Sequence, residues 1–180
     1  EDEKEKEFIY NKVVELYNDW RGYNNIACLY IEKGNLKKGM EFLEKAEKIG
    51  GEQHDILTNK GIIAARKGQL TTAQKFFNES KTTELNQAIL NIRKGEYQKA
   101  VRFFKNNKSY NATLAMLLNG NNNAKCNENT GACYYLNAIS FVRSKDYTNA
   151  IKNIEKAINA DSKYKKEALE DLEFINIREN

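Results

Sequence analysis

Apolar residues recur along the chain at the three-to-four spacing of amphipathic helices, and short polar turns separate the runs. Phe8, Ile9, Val13, Leu16 and Tyr17 form the first stripe. A turn of the form Lys-Gly-polar-apolar then recurs, each time followed by a small residue and a second apolar stripe. It reads Lys33-Gly34-Asn35-Leu36, with Gly39, Leu43 and Ala46 after it, and Lys67-Gly68-Gln69-Leu70, with Ala73, Phe77 and Ser80. It returns as Lys94-Gly95-Glu96-Tyr97, with Ala100 and Phe104. A fourth copy, Ser144-Lys145-Asp146-Tyr147, leads to Ala150, Ile154 and Ala157. The small residues measure the period: 34 residues from Gly39 to Ala73, 27 from Ala73 to Ala100 and 50 from Ala100 to Ala150. The long gap holds the apolar stretch Asn111 to Leu118 and then Asn119-Gly120-Asn121-Asn122-Asn123. It predicts a degenerate repeat whose second helix is stunted near Ala124 to Cys126.

The first helices share a second pattern. Tyr23, Ile26, Ala27 and Tyr30 stand in one copy, Leu57, Lys60, Gly61 and Ala64 in the next, and Tyr134, Asn137, Ala138 and Phe141 in the last. Small residues at Ala27, Gly61 and Ala138 let paired helices approach closely, while larger ones fill the space between successive pairs. With the 34-residue spacing, these positions make the chain resemble the tetratricopeptide repeat family over about residues 20–160. It departs from the family pattern in places. No copy ends on proline, Lys60 and Asn137 stand where the family has leucine, and Gly39 where it has alanine.

The resemblance implies an all-α fold, a tetratricopeptide-like helical repeat solenoid whose antiparallel helix pairs form a right-handed superhelix. The array would comprise units of about 20–53, 54–80 and 81–107, a degenerate 108–130, and 131–160. A helix in 1–19 reads as the second helix of a preceding unit, and 161–180 as a charged-faced capping helix. The stretch from Tyr134 to Phe174 is similar to tetratricopeptide segments of Bacteroidetes envelope proteins.

Composition narrows the function classes. The 180 residues include no proline and only 10 glycines, which favours long helices and excludes collagen-like and proline-rich disordered chains. The 29 Lys+Arg against 25 Asp+Glu leave a net charge of +4, a thin footprint that disfavours a nucleic-acid partner. No apolar run approaches the roughly 20 residues of a membrane span. Glu1 to Glu7 is an acidic, lysine-mixed run unlike a signal peptide.

Candidate chemistry is sparse. The single histidine, His54, stands beside Asp55 at a predicted helix start, and no nucleophile–base constellation or glycine-rich phosphate loop accompanies it. The chain therefore reads as non-enzymatic, with no cofactor and no metal. Cys126 and Cys133 bracket a loop short enough for a disulfide to close in an oxidising compartment; two unrelated thiols are the alternative reading.

In the resembled architecture, first helices line a concave groove that receives an extended peptide or a helix. Counting from the motif, the binding set is Asn24, Asn59, Ile62, Arg66, Asn86, Ile89, Arg93, Tyr135, Ile139 and Arg143. Arg66, Arg93 and Arg143 share one offset, five residues after the small residue, and each follows an isoleucine by four. Such a ladder would place a cationic edge over an apolar floor and suit an acidic segment, since guanidinium holds carboxylates in two-point contacts. The alternative is that these arginines only favour a helix C-terminus through its dipole. The family's carboxylate clamp is a poor match: of the corresponding Asn24, Cys28, Asn59, Thr82 and Asn86, only Asn59 carries the required type. The functional expectation is a protein–protein interaction scaffold that binds a protein or peptide in its groove. The alternative is a structural spacer in a larger cell-envelope protein. The periplasm or cell surface is the favoured location, the cytoplasm the alternative.

Overall fold

The computed structural model describes residues 2–50, 53–105 and 107–177, and every regular element among them is helical. The first compact unit, Glu1–Lys94, holds α1 (Asp2–Tyr17), α2 (Trp20–Glu32), α3 (Leu36–Gly50), α4 (His54–Arg66), α5 (Leu70–Glu79) and α6 (Glu84–Arg93). The second, Gly95–Asn180, holds α7 (Tyr97–Phe104), α8 (Tyr110–Leu118), α9 (Gly131–Arg143), α10 (Tyr147–Ala160), α11 (Lys163–Glu170) and a terminal 3₁₀ turn (Leu172–Ile177). The division falls in the turn that joins α6 to α7, inside the third repeat.

The recurring turn sets the geometry. Gly34, Gly68 and Gly95 adopt φ of 77°, 76° and 77°, the left-handed conformation glycine enters without a Cβ clash. The residue after the glycine reaches back to the helix it leaves: Asn35 N–H donates to Tyr30 C=O at 2.8 Å and Gln69 N–H to Ala64 C=O at 2.9 Å. This is the helix-ending pattern that satisfies orphan carbonyls. In the fourth copy Lys145 takes the same place at φ 63°, and Asp146 N–H reaches Phe141 C=O at 2.8 Å. The turns at Gly34, Gly68 and Lys145 reverse the chain, so α2 packs on α3, α4 on α5 and α9 on α10.

The core of the first unit begins with Ala27, Ile31, Leu43, Ala46, Ile56 and Ile63, all buried. It continues through Ala64, Ala73, Phe77 and Leu90. In the second unit Leu117, Ala124 and Leu136 form one cluster, and Ala138, Val142, Ala150, Phe174 and Ile177 form another.

The departures from the family pattern have local causes. A Cβ on Gly39 would stand 2.9 Å from Cγ1 of Ile31, so this crossing leaves no room for alanine. Lys60 is mostly buried, and its ammonium lies 2.6 Å from the Glu47 carboxylate on α3. Asn137 receives the Cys126 N–H at 2.7 Å and donates to the Cys126 C=O at 3.0 Å, so one side chain clamps both backbone polar groups of that residue.

Two expectations need revision. No helix forms at Ala124 to Cys126. The 108–130 unit keeps the repeat turn, with Gly120 at φ 91° and Asn121 N–H on Met116 C=O at 2.8 Å, but the chain after it stays irregular. Asparagine, abundant here, diverts hydrogen bonds to nearby backbone and disfavours helix. α9 fastens this run instead: Ser140 Oγ donates to Asn122 C=O at 2.7 Å and Ser144 Oγ to Asn123 Oδ1 at 2.9 Å. At the C-terminal end, one continuous helix over 161–180 does not form. α11 stops at Glu170, Asp171 is extended, and its carboxylate accepts the Glu173 N–H at 3.0 Å to start the 3₁₀ turn. Residues 178–180, the end of that expected helix, lie outside the described residues.

Candidate functional site

The predicted groove set separates by unit. In the first unit α4 and α6 contribute Ile62, Arg66, Asn86, Ile89 and Arg93 to one cleft of about 260 Å³, whose lining also includes Phe77 and Leu90. Ile62 and Ile89 are half-buried and both arginines are exposed. Asn86 is held in place by donating to Thr82 Oγ1 at 2.8 Å. The cleft therefore presents an apolar base, one amide and two guanidinium groups.

Asn24 and Asn59 play an internal part. Asn24 is buried, and Asn59 Nδ2 donates to its Oδ1 at 2.9 Å and to Cys28 Sγ at 3.3 Å, tying α4 to α2. Burial, the largest influence, pushes the Cys28 thiol up, so it is a poor nucleophile.

The arginines share a contact that spacing alone did not announce. Arg66 donates to Ile31 C=O at 2.5 Å, Arg93 to Ala65 C=O at 3.5 Å and Arg143 to Leu117 C=O at 3.0 Å. Each acceptor lies in the last turn of an earlier first helix, where carbonyls lack intrahelical partners. The shared offset thus has a stitching role. Each arginine stands in the last turn of its own helix and also reaches the last turn of an earlier one.

In the second unit the corresponding face of α9 is covered by the C-terminal segment. Tyr135 donates its hydroxyl to Asp171 Oδ2 at 3.0 Å and meets the Phe174 ring edge-on, with centroids 5.3 Å apart. Burial first, and this hydrogen bond second, push its phenol up. Ile139 packs against the same cluster. Arg143 Nε contacts both Glu173 carboxylate oxygens at 3.1 and 3.2 Å, with Nη2 on one of them. That carboxylate raises the guanidinium pKa further. The acid expected on a partner is here supplied by the chain itself.

Cys126 and Cys133 are buried and joined to each other, with Cα atoms 5.4 Å apart. With Glu128 they are the only group of three metal-ligand side chains gathered within 4.8 Å among the described residues. Sulfurs bonded to each other are not thiolate ligands. His54 is exposed at the first position of α4.

Short antiparallel pairs, a conserved turn geometry within the chain and arginines stitching one first helix to the next define a helical-repeat protein. Comparison specifies the repeat. Residues 21–49 match the family model described as tetratricopeptide repeat. The fold is similar to the crystal structure of a tetratricopeptide repeat protein from Parabacteroides merdae ATCC 43184, with a TM-score of 0.69 and 17% identity over 92% of this chain and 76% of that one. A weaker likeness, TM-score 0.43 and 15% identity over 89% of this chain and 79% of that one, is to YrrB, described as a TPR protein with an unusual peptide-binding site. No curated protein matches the chain by sequence. The chain thus has the fold of a tetratricopeptide repeat array, and one of its repeats, residues 21–49, matches the family model.

Proposed function

We propose that the protein is a non-enzymatic interaction scaffold that binds a peptide or protein segment on the first-helix face. The carrying observation is the cleft of the first unit, where Ile62, Ile89, Asn86, Arg66 and Arg93 converge. An apolar base suits an aliphatic or aromatic side chain, and the two arginines suit a carboxylate-bearing neighbour. Asn24 and Asn59 support this face from beneath. Tyr135, Ile139 and Arg143 belong to a surface that the 3₁₀ turn already covers, so we assign the binding to the first unit. A disulfide between Cys126 and Cys133 supports an oxidising location, the periplasm or cell surface.

The test is differential capture. Proteins retained from source-cell extract by the native chain are compared with those retained by Arg93→Glu and Ile89→Ser, and direct titration of the recovered partner follows. Either substitution is expected to weaken binding by about 1–3 kcal/mol while helicity is kept. Identical capture by all three proteins refutes the cleft as the binding site.

A further inference from the structure

A second cleft, of about 630 Å³, lies in the other unit, between the C-terminal ends of α7 and α8 and the irregular segment that replaces the missing second helix. No residue expected to bind from the repeat pattern lines it. Its chemistry is one-sided. Lys105 and Lys108 are exposed on its rim, and neither forms an ion pair among the described residues. Lys125 adds a third charge from the segment, anchored by donating to Ser140 Oγ at 2.5 Å and lying 4.3 Å from the Phe141 ring centroid. No carboxylate lines the cleft.

The asparagines strengthen the bias. The side-chain oxygens of Asn107, Asn121 and Asn123 accept from Ser109 N–H, Asn123 N–H and Ser144 Oγ respectively. Their oxygens are thus occupied within the chain, which leaves the amide N–H groups as what they can offer a ligand. A cleft of ammonium and amide donors calls for a ligand rich in acceptors, such as carboxylates and peptide carbonyls. Its floor argues for peptide over inorganic polyanion, because Val101 and Met116 offer apolar surface that a phosphate chain cannot use. The unit also shows an asparagine holding non-helical backbone: Asn137 grips both polar groups of Cys126.

We propose that this cleft is a second binding site, separate from the first-unit cleft, for an extended acidic peptide segment. Carboxylates of the segment meet Lys105 and Lys108, asparagine amides donate to its carbonyls, and an apolar side chain rests on Val101 and Met116. The site stands whether or not the first-unit cleft binds anything.

The full-length chain tests this by fluorescence anisotropy at low salt with a labelled octapeptide of alternating glutamate and leucine. The comparison probes are a lysine–leucine octapeptide and inorganic polyphosphate. The acidic peptide is expected to bind saturably, and Lys105→Glu with Lys108→Glu to weaken it about tenfold or more, with circular dichroism unchanged. Met116→Ser is expected to weaken it without altering its salt dependence. Arg93→Glu is expected to leave it unchanged; an equal loss there places the peptide in the other cleft and overturns the proposal. Equal affinity for the native and doubly substituted proteins also overturns it. Polyphosphate binding that needs the two lysines, without peptide binding, overturns the peptide assignment.

Discussion

Lys145 holds a conformation that its four counterparts leave to glycine, with φ 63° against 77°, 76°, 77° and 91° at Gly34, Gly68, Gly95 and Gly120. A Cβ in the left-handed region costs roughly 1 kcal/mol. Lys145 is exposed, and its side chain makes no hydrogen bond or ion pair among the described residues that offsets this. Lys145→Gly is therefore expected to stabilise the second unit by about 1 kcal/mol, read as a rise of a few degrees in Tm by calorimetry. Gly39 answers to the opposite constraint. Its φ is ordinary, but an added methyl would press on Ile31 at the crossing of α2 and α3. Gly39→Ala is expected to destabilise by about 1–3 kcal/mol in urea titration, although alanine is the better helix former. A gain in stability would mean that Ile31 can swing aside freely. The two glycine-class positions look alike in composition and differ in mechanism, one a matter of backbone angle and the other of contact distance.

Helices dock here through a few polar pins as well as through apolar stripes. α1 leaves Phe8, Leu16 and Tyr17 largely exposed, while Glu7 ties it to α2 by accepting from the Tyr30 hydroxyl at 2.8 Å and the Lys33 ammonium at 3.3 Å. The Tyr30 hydrogen bond, then that of Lys33, holds the Glu7 carboxyl below its ordinary 4.5. A carboxyl lowered in the folded state contributes stability above its unfolded value and loses it as pH falls through the folded value. Acidification from about pH 5 to about pH 3 is thus expected to loosen α1 before the rest of the first unit, seen as faster amide hydrogen exchange in α1. Glu7→Gln should show that faster exchange at neutral pH and respond little to acid. If α1 exchanges equally in both proteins at every pH, the pin is decorative. At this scale the sequence was a good guide wherever a helix repeats its apolar stripe. The 119–130 run escaped it, because its anchors are single side chains, Asn137 and Ser140 of α9 and Ser144 just after it, spaced at helical intervals but serving a backbone rather than a core.

Across the whole chain, the legible features were those that recur: the Lys-Gly turns, the small residues at Ala73, Ala100 and Ala150, and the isoleucine–arginine offset. What could not be read were contacts made once. Glu173 closing on Arg143, Asp171 on Tyr135 and Asn137 on Cys126 each join segments with no shared period, so no spacing foretells them. The arginine offset was visible while its acceptor carbonyls were not, because a backbone acceptor leaves no trace in residue type. The same asymmetry separates the units. The first is built almost wholly from repeating positions, whereas the second relies on a disulfide across residues 126–133 to hold a segment without helix. Closing a loop of that length removes about 2 kcal/mol of unfolded-state entropy. Reduction, or Cys126→Ser with Cys133→Ser, is therefore expected to cost the second unit about 2 kcal/mol and leave the first untouched. The single tryptophan, Trp20, packs against the core of the first unit and reports on it alone, while far-ultraviolet circular dichroism reports on both. In denaturant with reductant, the dichroism transition should broaden toward lower concentration while the Trp20 fluorescence midpoint holds its place. A fluorescence midpoint that moves in step with the dichroism would show that the units unfold as one, and the boundary between Lys94 and Gly95 would then mark no break in cooperativity.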